Sequence, residues 1–264
     1  MKKYNIESIY KKIIVTSSLM LVSVSSFASM GECISSVKNK DWKGAIEYCQ
    51  PLSEDSREAL GFTSNAYAQL EKGMNAQKYG DSYIYKYKSS DPDKVALAAA
   101  YTGTGNLYYF KDNYGATRDI KKGLEYITKG AELGNVIAQE QLGSIYTGGD
   151  NDSIPTNILT SYYWYQTAGI NGNQKAKKSP MLQKIDAFKK QLPYCIAQGE
   201  QLVAQSYIDG KAGLSQDKYQ AKKYLTQAIA LYKKEDKPSA DELKYCPPQK
   251  GLDLKSAEKL LAGL

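Results

Sequence analysis

The sequence predicts an all-α fold: a right-handed superhelical solenoid of stacked antiparallel helix pairs. Three observations predict it. The first is an echo at 38 residues. Ala100 and Ala138, Gly105 and Gly143, Tyr108 and Tyr146, Tyr126 and Trp164, Gly134 and Gly172, and Asn135 and Asn173 are all that far apart. A repeat of this length is one helix–turn–helix unit that cannot bury its apolar face alone, so units stack. The second is periodicity: apolar and small residues recur at helical spacing, and no segment sustains a two-residue alternation. The third is punctuation, because polar, Gly and Pro turns divide the chain into paired segments.

Residues 1–28 read as a secretory signal peptide. Lys2, Lys3, Lys11 and Lys12 form a basic front, and Ile13 to Val24 is an apolar run diluted only by small hydroxyl residues. Ser26-Phe27-Ala28 supplies small residues for cleavage after Ala28. The competing reading is a single membrane anchor, for which the run is short, since a span needs roughly 20 residues. Glu32 before Cys33 does not suit a lipoprotein signal. The expectation is a periplasmic or secreted protein with no stable membrane insertion after cleavage.

The first helix pair is expected at 30–38 and 43–50, joined by the turn Asn39-Lys40-Asp41 and stopped by Pro51. The second is expected at 56–72 and 74–88, with Tyr79, Tyr83 and Tyr87 on one face of its second helix. Ser90-Asp91-Pro92-Asp93 then breaks the chain and caps the next helix. The third unit spans about 94–133, with a loop at Lys111-Asp112-Asn113-Tyr114-Gly115. The fourth, about 135–172, has its loop at Gly148-Gly149-Asp150-Asn151-Asp152-Ser153. A lysine-rich helical stretch, about 173–192, is less regular. The pattern returns when Val203, Ala204, Tyr207 and Gly210 follow the order of Leu142, Gly143, Tyr146 and Gly149; Ala221, Tyr224, Leu225 and Ala228 continue it. A last helix is expected at about 253–263.

The four cysteines, Cys33, Cys49, Cys195 and Cys246, all follow the cleavage point. An even count in an exported chain favours two disulfides. If a hairpin turns around Asp41, Cys33 and Cys49 lie eight residues either side of it, each roughly 12 Å from the turn at 1.5 Å per residue. They can meet across the hairpin, which pairs Cys195 with Cys246 by elimination. Free thiols and a metal site are the alternatives, and no Cys-x-x-Cys or histidine favours the latter.

Composition excludes whole classes of chemistry. The chain has no histidine. That removes Ser-His-Asp and Cys-His catalysis, histidine zinc sites and the commonest general acid–base group. Ser/Lys chemistry is the route left open. The net charge of +7 falls to +4 once the leader's four lysines and Glu7 are removed. Only Arg57 and Arg118 offer guanidinium groups for phosphate or base recognition, so no nucleic-acid partner is expected. No catalytic, cofactor or metal residue is nominated. Asp150-Asn151-Asp152-Ser153 has a faint calcium-loop spacing but lacks Gly at its sixth position and Glu at its twelfth.

The 23 tyrosines exceed what a repeat signature requires. Tyr109, Tyr162 and Tyr163 sit beside the expected core stripe, turned about 100° per residue around the helix. They are the candidate partner-binding residues, since tyrosine is a favoured interface anchor. Packing against the adjacent hairpin is the alternative. Tyr108, Tyr146, Trp164 and Tyr165 read as packing residues.

Ala138-x-x-x-Leu142-Gly143-x-x-Tyr146-x-x-Gly149, then Trp164-Tyr165-x-x-Ala168 and Gly172-Asn173, resembles a Sel1-like repeat, a relative of the tetratricopeptide repeat. Residues 100–135 resemble it nearly as well, and 203–228 moderately. Asp41-Trp42-Lys43-Gly44-Ala45-Ile46 resembles the opening of exported bacterial proteins of this kind. Residues 173–192 and 236–252 depart from the pattern. The resemblance implies that 29–264 is one Sel1-like solenoid that binds a protein without catalysis. Some proteins of this family are immunity proteins that neutralise toxic effectors, including lipases delivered by type VI secretion. The specific expectation is such an immunity protein; the alternative is an envelope adaptor or scaffold regulating a membrane or cell-wall complex. An enzyme acting on the cell wall or on an antibiotic is a third, disfavoured reading.

Overall fold

A computed structural model describes residues 29–90, 92–110, 114–148, 154–172, 192–234 and 237–264. The expected leader, the Asp150-Asn151-Asp152-Ser153 loop and nearly all of the 173–192 stretch lie outside the described residues. So do Asp91 and Lys111-Asp112-Asn113. Among the described residues the regular structure is helical, with one isolated bridge between Gln249 and Leu252.

The chain divides into two compact units. The first runs to Ser89 and adds Phe110–Arg118. It contains α1 (Met30–Lys38), α2 (Trp42–Cys49), a 3-10 turn (Gln50–Leu52), α3 (Arg57–Gln69) and α4 (Gly73–Tyr87). Helix α1 pairs with α2, α3 pairs with α4, and α2 packs on α3. Ser29 opens α1 with a capping box, its hydroxyl accepting from Glu32 N while Glu32 accepts from Ser29 N. Asp41 and Ser56 cap α2 and α3 with their side chains, accepting from Gly44 N and Ala59 N. Each of these helices lies within a few residues of the bounds that its sequence spacing predicts.

The segment 114–118 docks on α4 through two contacts. Gly73 N donates to Tyr114 O at 2.9 Å. The Gln77 amide bonds Thr117 in both directions, donating to its carbonyl at 2.8 Å and accepting from its N–H at 3.1 Å.

The second unit, Ser90–Tyr109 and Asp119–Leu264, holds the repeated pairs. They are α5 (Lys94–Tyr109) with α6 (Ile120–Glu132), α7 (Val136–Tyr146) with α8 (Ile158–Ile170), and α9 (Pro193–Asp209) with α10 (Lys218–Tyr232). Two short helices follow, α11 (Ala240–Tyr245) and α12 (Leu254–Ala262); α11 packs on α9 and α12 on α10.

The three pairs are closed by one device. The N-cap residue of each second helix donates its N–H to the carbonyl of the signature tyrosine in the first. Asp119 donates to Tyr108 at 3.0 Å, Asn157 to Tyr146 at 2.8 Å and Asp217 to Tyr207 at 3.1 Å. Each N-cap side chain also accepts from the third residue of its helix, satisfying an orphan donor. The alignment of Tyr207 with Tyr146 therefore reflects a shared hydrogen bond as well as shared spacing.

Glycine sets the helix approach within α5–α6. A Cβ on Gly123 would stand 2.6 Å from Tyr109 N and 2.8 Å from Tyr109 Cα, so any side chain there forces two backbones apart. Gly123→Ala gains up to about 1 kcal/mol of helix propensity, but overpacking costs about 1–3 kcal/mol. The expected outcome is net destabilisation, read as a lower urea midpoint; an unchanged midpoint would contradict the close contact.

Rings fill the space between helices, as the packing reading of Tyr108, Trp164 and Tyr165 requires. All three are buried, while Tyr146 is half-buried. Tyr126 meets Tyr101 and Tyr108 edge-on, and Tyr207 stacks on Tyr224 at 5.8 Å. Burial pushes the Tyr224 phenol up to about 12, with Gln166 opposing the shift through its hydrogen bond to the hydroxyl. Burial also raises Tyr232 strongly. The unfolded chain gives up these protons first, near pH 10, so the unfolded state binds fewer protons above that pH. Stability present below pH 10 should drain away as pH rises through about 12. Tyr224→Phe should flatten that alkaline loss, measured as unfolding midpoint against pH; an identical slope would contradict the assignment.

Candidate protein-binding groove

An open concavity lies within the first unit, between α2 and α4. It measures about 840 Å³. One wall is α2 and the turn after it, with Ile46, Glu47, Gln50, Pro51 and Glu54. The facing wall is α4, with Lys78, Tyr79, Ser82 and Lys86. Leu60 of α3, 4% exposed, lies beneath.

Local sequence explains why these walls hold their positions. Asp41 accepts from Gly44 N at 3.0 Å and starts α2. The Cys33–Cys49 disulfide, with Cα atoms 4.8 Å apart, ties the end of α2 to α1. Pro51 converts the next residues to a 3-10 turn. Ser53, buried after that turn, donates to Cys49 O at 3.1 Å and shares a hydrogen bond of 2.9 Å with Thr63 of α3. The α4 wall is anchored by buried Tyr83 and by Ser64 of α3, which donates to Ala76 O at 2.9 Å.

The two walls are joined at two places. Tyr67 stacks on Tyr79 with centroids 5.5 Å apart, and its hydroxyl donates to Gln50 Oε1 at 2.6 Å. Lys86 Nζ donates to the carbonyl of Glu54. Burial, with a further contribution from Tyr67, raises the Tyr79 phenol above its usual value, so it stays neutral at physiological pH. Lys78 lies 5.5 Å from the Tyr79 ring centroid. The result is an aromatic and aliphatic floor between an acidic wall and a basic wall. A smaller hollow of about 330 Å³ in the second unit is bounded by Tyr194, Leu231, Tyr232, Lys233, Pro238, Asp253 and Leu254.

The tyrosines nominated from sequence lie elsewhere. Tyr109 is 2% exposed and Tyr162 is fully buried, so neither side chain can anchor a partner. Each faces a neighbouring helix: Tyr109 lies against Gly123 and Tyr162 against Gly199. Tyr163 is half-buried, and its hydroxyl shares a 2.9 Å hydrogen bond with Ser206. Tyr162 thus packs against the next hairpin, as the alternative has it, while Tyr109 packs on the partner helix of its own pair.

The cysteines form Cys33–Cys49 and Cys195–Cys246, the pairing that hairpin geometry and elimination suggest. Short α11 was not foreseen. It supplies Glu242, which is 1% exposed, completes a capping box with Ser239, and accepts from Tyr194 N at 2.8 Å beside the second disulfide. Ser239-x-x-Glu242 was the available signal. Among the described residues no group of three or more Cys, Asp or Glu side chains is placed to hold a metal, and no helix is long and apolar enough to cross a membrane.

Comparison with known proteins identifies the repeated part. Residues 96–135, 136–173 and 197–232 each match the family model for the Sel1 repeat. No curated protein matches the chain. Among solved structures it is similar to a Sel1 repeat protein from Oxalobacter formigenes, with 16% identity and a TM-score of 0.37, over 71% of this chain and 45% of that one. It is also similar to c5321, a protective antigen present in uropathogenic Escherichia coli strains displaying an SLR fold. That match has 16% identity and a TM-score of 0.44, over 85% of this chain and 52% of that one. The chain thus spans about half the length of these structures.

Proposed function

Starting from a chain that carries three Sel1 repeats, a protein-interaction fold, we propose that it is an exported module that grips a protein partner through the groove between α2 and α4. The carrying observation is the groove itself: an apolar floor held between oppositely charged walls, one of them pinned by a disulfide. Interfaces draw their affinity from a few buried aromatic and apolar anchors rimmed by polar groups, and this groove supplies both.

The more specific reading is that the partner is a toxic effector, such as a type VI lipase, and that the protein confers immunity by covering it. Export to the periplasm under the leader 1–28 belongs to this reading. Two disulfides fit a non-reducing compartment. Cleavage after Ala28 would leave Ser29 as the first residue, and Ser29 is the N-cap of α1, so the cut preserves the whole cap.

Capture from periplasm with the tagged full chain, followed by mass spectrometry and N-terminal sequencing, tests these statements together. The reading expects one stoichiometric toxin partner and a mature chain beginning at Ser29. Recovery of an envelope complex instead supports the adaptor role. Challenge of a deletion strain by sister cells tests immunity directly: survival equal to the parent's would count against it.

A further inference from the structure

Residues 46–86 precede the first matched repeat, so the groove is formed by helix pairs outside the repeats themselves. Its walls follow one register. On α2 and its C-cap the lining residues are Ile46, Glu47 and Gln50; on α4 they are Lys78, Tyr79 and Ser82. Each set is i, i+1 and i+4, one helical face. Lys86 extends the α4 face by another turn, giving a lining stretch of about 12 Å, roughly two turns of helix.

The backbone chemistry selects the shape of the occupant. An extended segment needs donors and acceptors for its own backbone. The groove offers side chains instead: Pro51 has no N–H, and the Glu54 carbonyl already accepts from Lys86. A helix satisfies its own backbone and presents a stripe of side chains, which is what two facing helical walls can receive.

Charge selects its sides. Glu47 and Glu54 line one wall and Lys78 the other, while Lys86 reaches from α4 to the Glu54 carbonyl; all four are exposed. A ligand flanked by one sign of charge meets attraction on one wall and repulsion on the other. A ligand with opposite flanks meets attraction on both. We propose that the groove seats an amphipathic helix of the partner protein. Its apolar stripe rests on Ile46, Leu60 and Tyr79, its basic flank faces Glu47 and Glu54, and its acidic flank faces Lys78. This rests on the protein-binding reading above and adds the form and polarity of the segment bound.

Three synthetic helical peptides of about four turns test it with the full mature chain. They share an apolar stripe and differ in their flanks: Lys on one side with Glu on the other, Lys on both, or Glu on both. Reversing a helix end for end exchanges its sides, so the mixed peptide needs only one design. The wild-type chain should prefer the mixed peptide by about tenfold at low salt, with the preference shrinking as salt screens the rim. Glu47→Lys/Glu54→Lys, at two exposed positions, should retain the wild-type melting curve and move the preference to the all-Glu peptide. Equal binding of all three peptides, no binding, or a preference unmoved by the double variant overturns the proposal. A partner captured equally by the wild type and this variant also overturns it while leaving the protein-binding reading intact. Absence of any captured partner with the wild type defeats that reading instead.

Discussion

Replacing Cys195 and Cys246 together by alanine should lower the unfolding free energy of the second unit by about 4 kcal/mol. The bridge closes a sequence separation of 51 residues. In the chain-entropy account, stabilisation grows with the logarithm of loop length, about 3 kcal/mol for 15 residues and about 4.7 for 100. Both sulfurs are fully buried and pack with Ile158, Leu159 and Tyr162. Loss of the bridge therefore also thins a core cluster and frees the segment carrying Glu242 from α9. Cys33→Ala/Cys49→Ala, with a separation of 16, should lose about 3 kcal/mol. Denaturant unfolding under oxidising conditions reads both losses. Equal midpoints for wild type and the Cys195→Ala/Cys246→Ala variant would contradict the structural role.

Tyr162→Ala should be comparably damaging, at about 3–5 kcal/mol, the range for emptying a buried aromatic site. The side chain is fully buried, and a Cβ on Gly199 would stand 2.4 Å from its ring, so no small residue nearby can grow into the space without moving other groups. Its hydroxyl donates to Glu200 Oε1 at 2.5 Å, and Glu200 is 1% exposed. Tyr162→Phe keeps the ring and removes this donor, which should cost about 1–3 kcal/mol, the range for removing one partner of a buried hydrogen bond. Neither change should alter partner binding once the protein is folded. A binding defect in stably folded Tyr162→Phe would return this residue to the interface.

The contrast between Tyr162 and the groove shows what a single sequence can carry. The repeat length, the helix pairs and the cysteine pairing follow from local spacing. Echoes such as Gly105 and Gly143 repeat because the same contact is made twice, and Cys33 and Cys49 are level because a hairpin makes them so. Exposure did not follow from spacing. A helix at the edge of a fold has one buried stripe, and residues beside that stripe face solvent. A helix inside a stack touches its own partner and the next pair, so the flanks of the stripe are buried too. That is why Tyr109 meets Gly123 and Tyr162 meets Gly199 instead of a ligand. The groove was illegible for another reason. Its walls come from residues more than 20 positions apart, its charges are ordinary exposed Lys and Glu, and only the packing of α2 and α4 around α3 sets acids opposite bases. Helix α11, six residues long, has too few turns for periodicity to register.

The most direct test of the account is calorimetric titration of the captured partner into three folded proteins: wild type, Tyr162→Phe and Glu47→Lys/Glu54→Lys. The account predicts that Tyr162→Phe binds like wild type despite its lower stability, while the groove variant, equally stable to wild type, loses about tenfold or more in affinity. Unchanged affinity in the groove variant would contradict it.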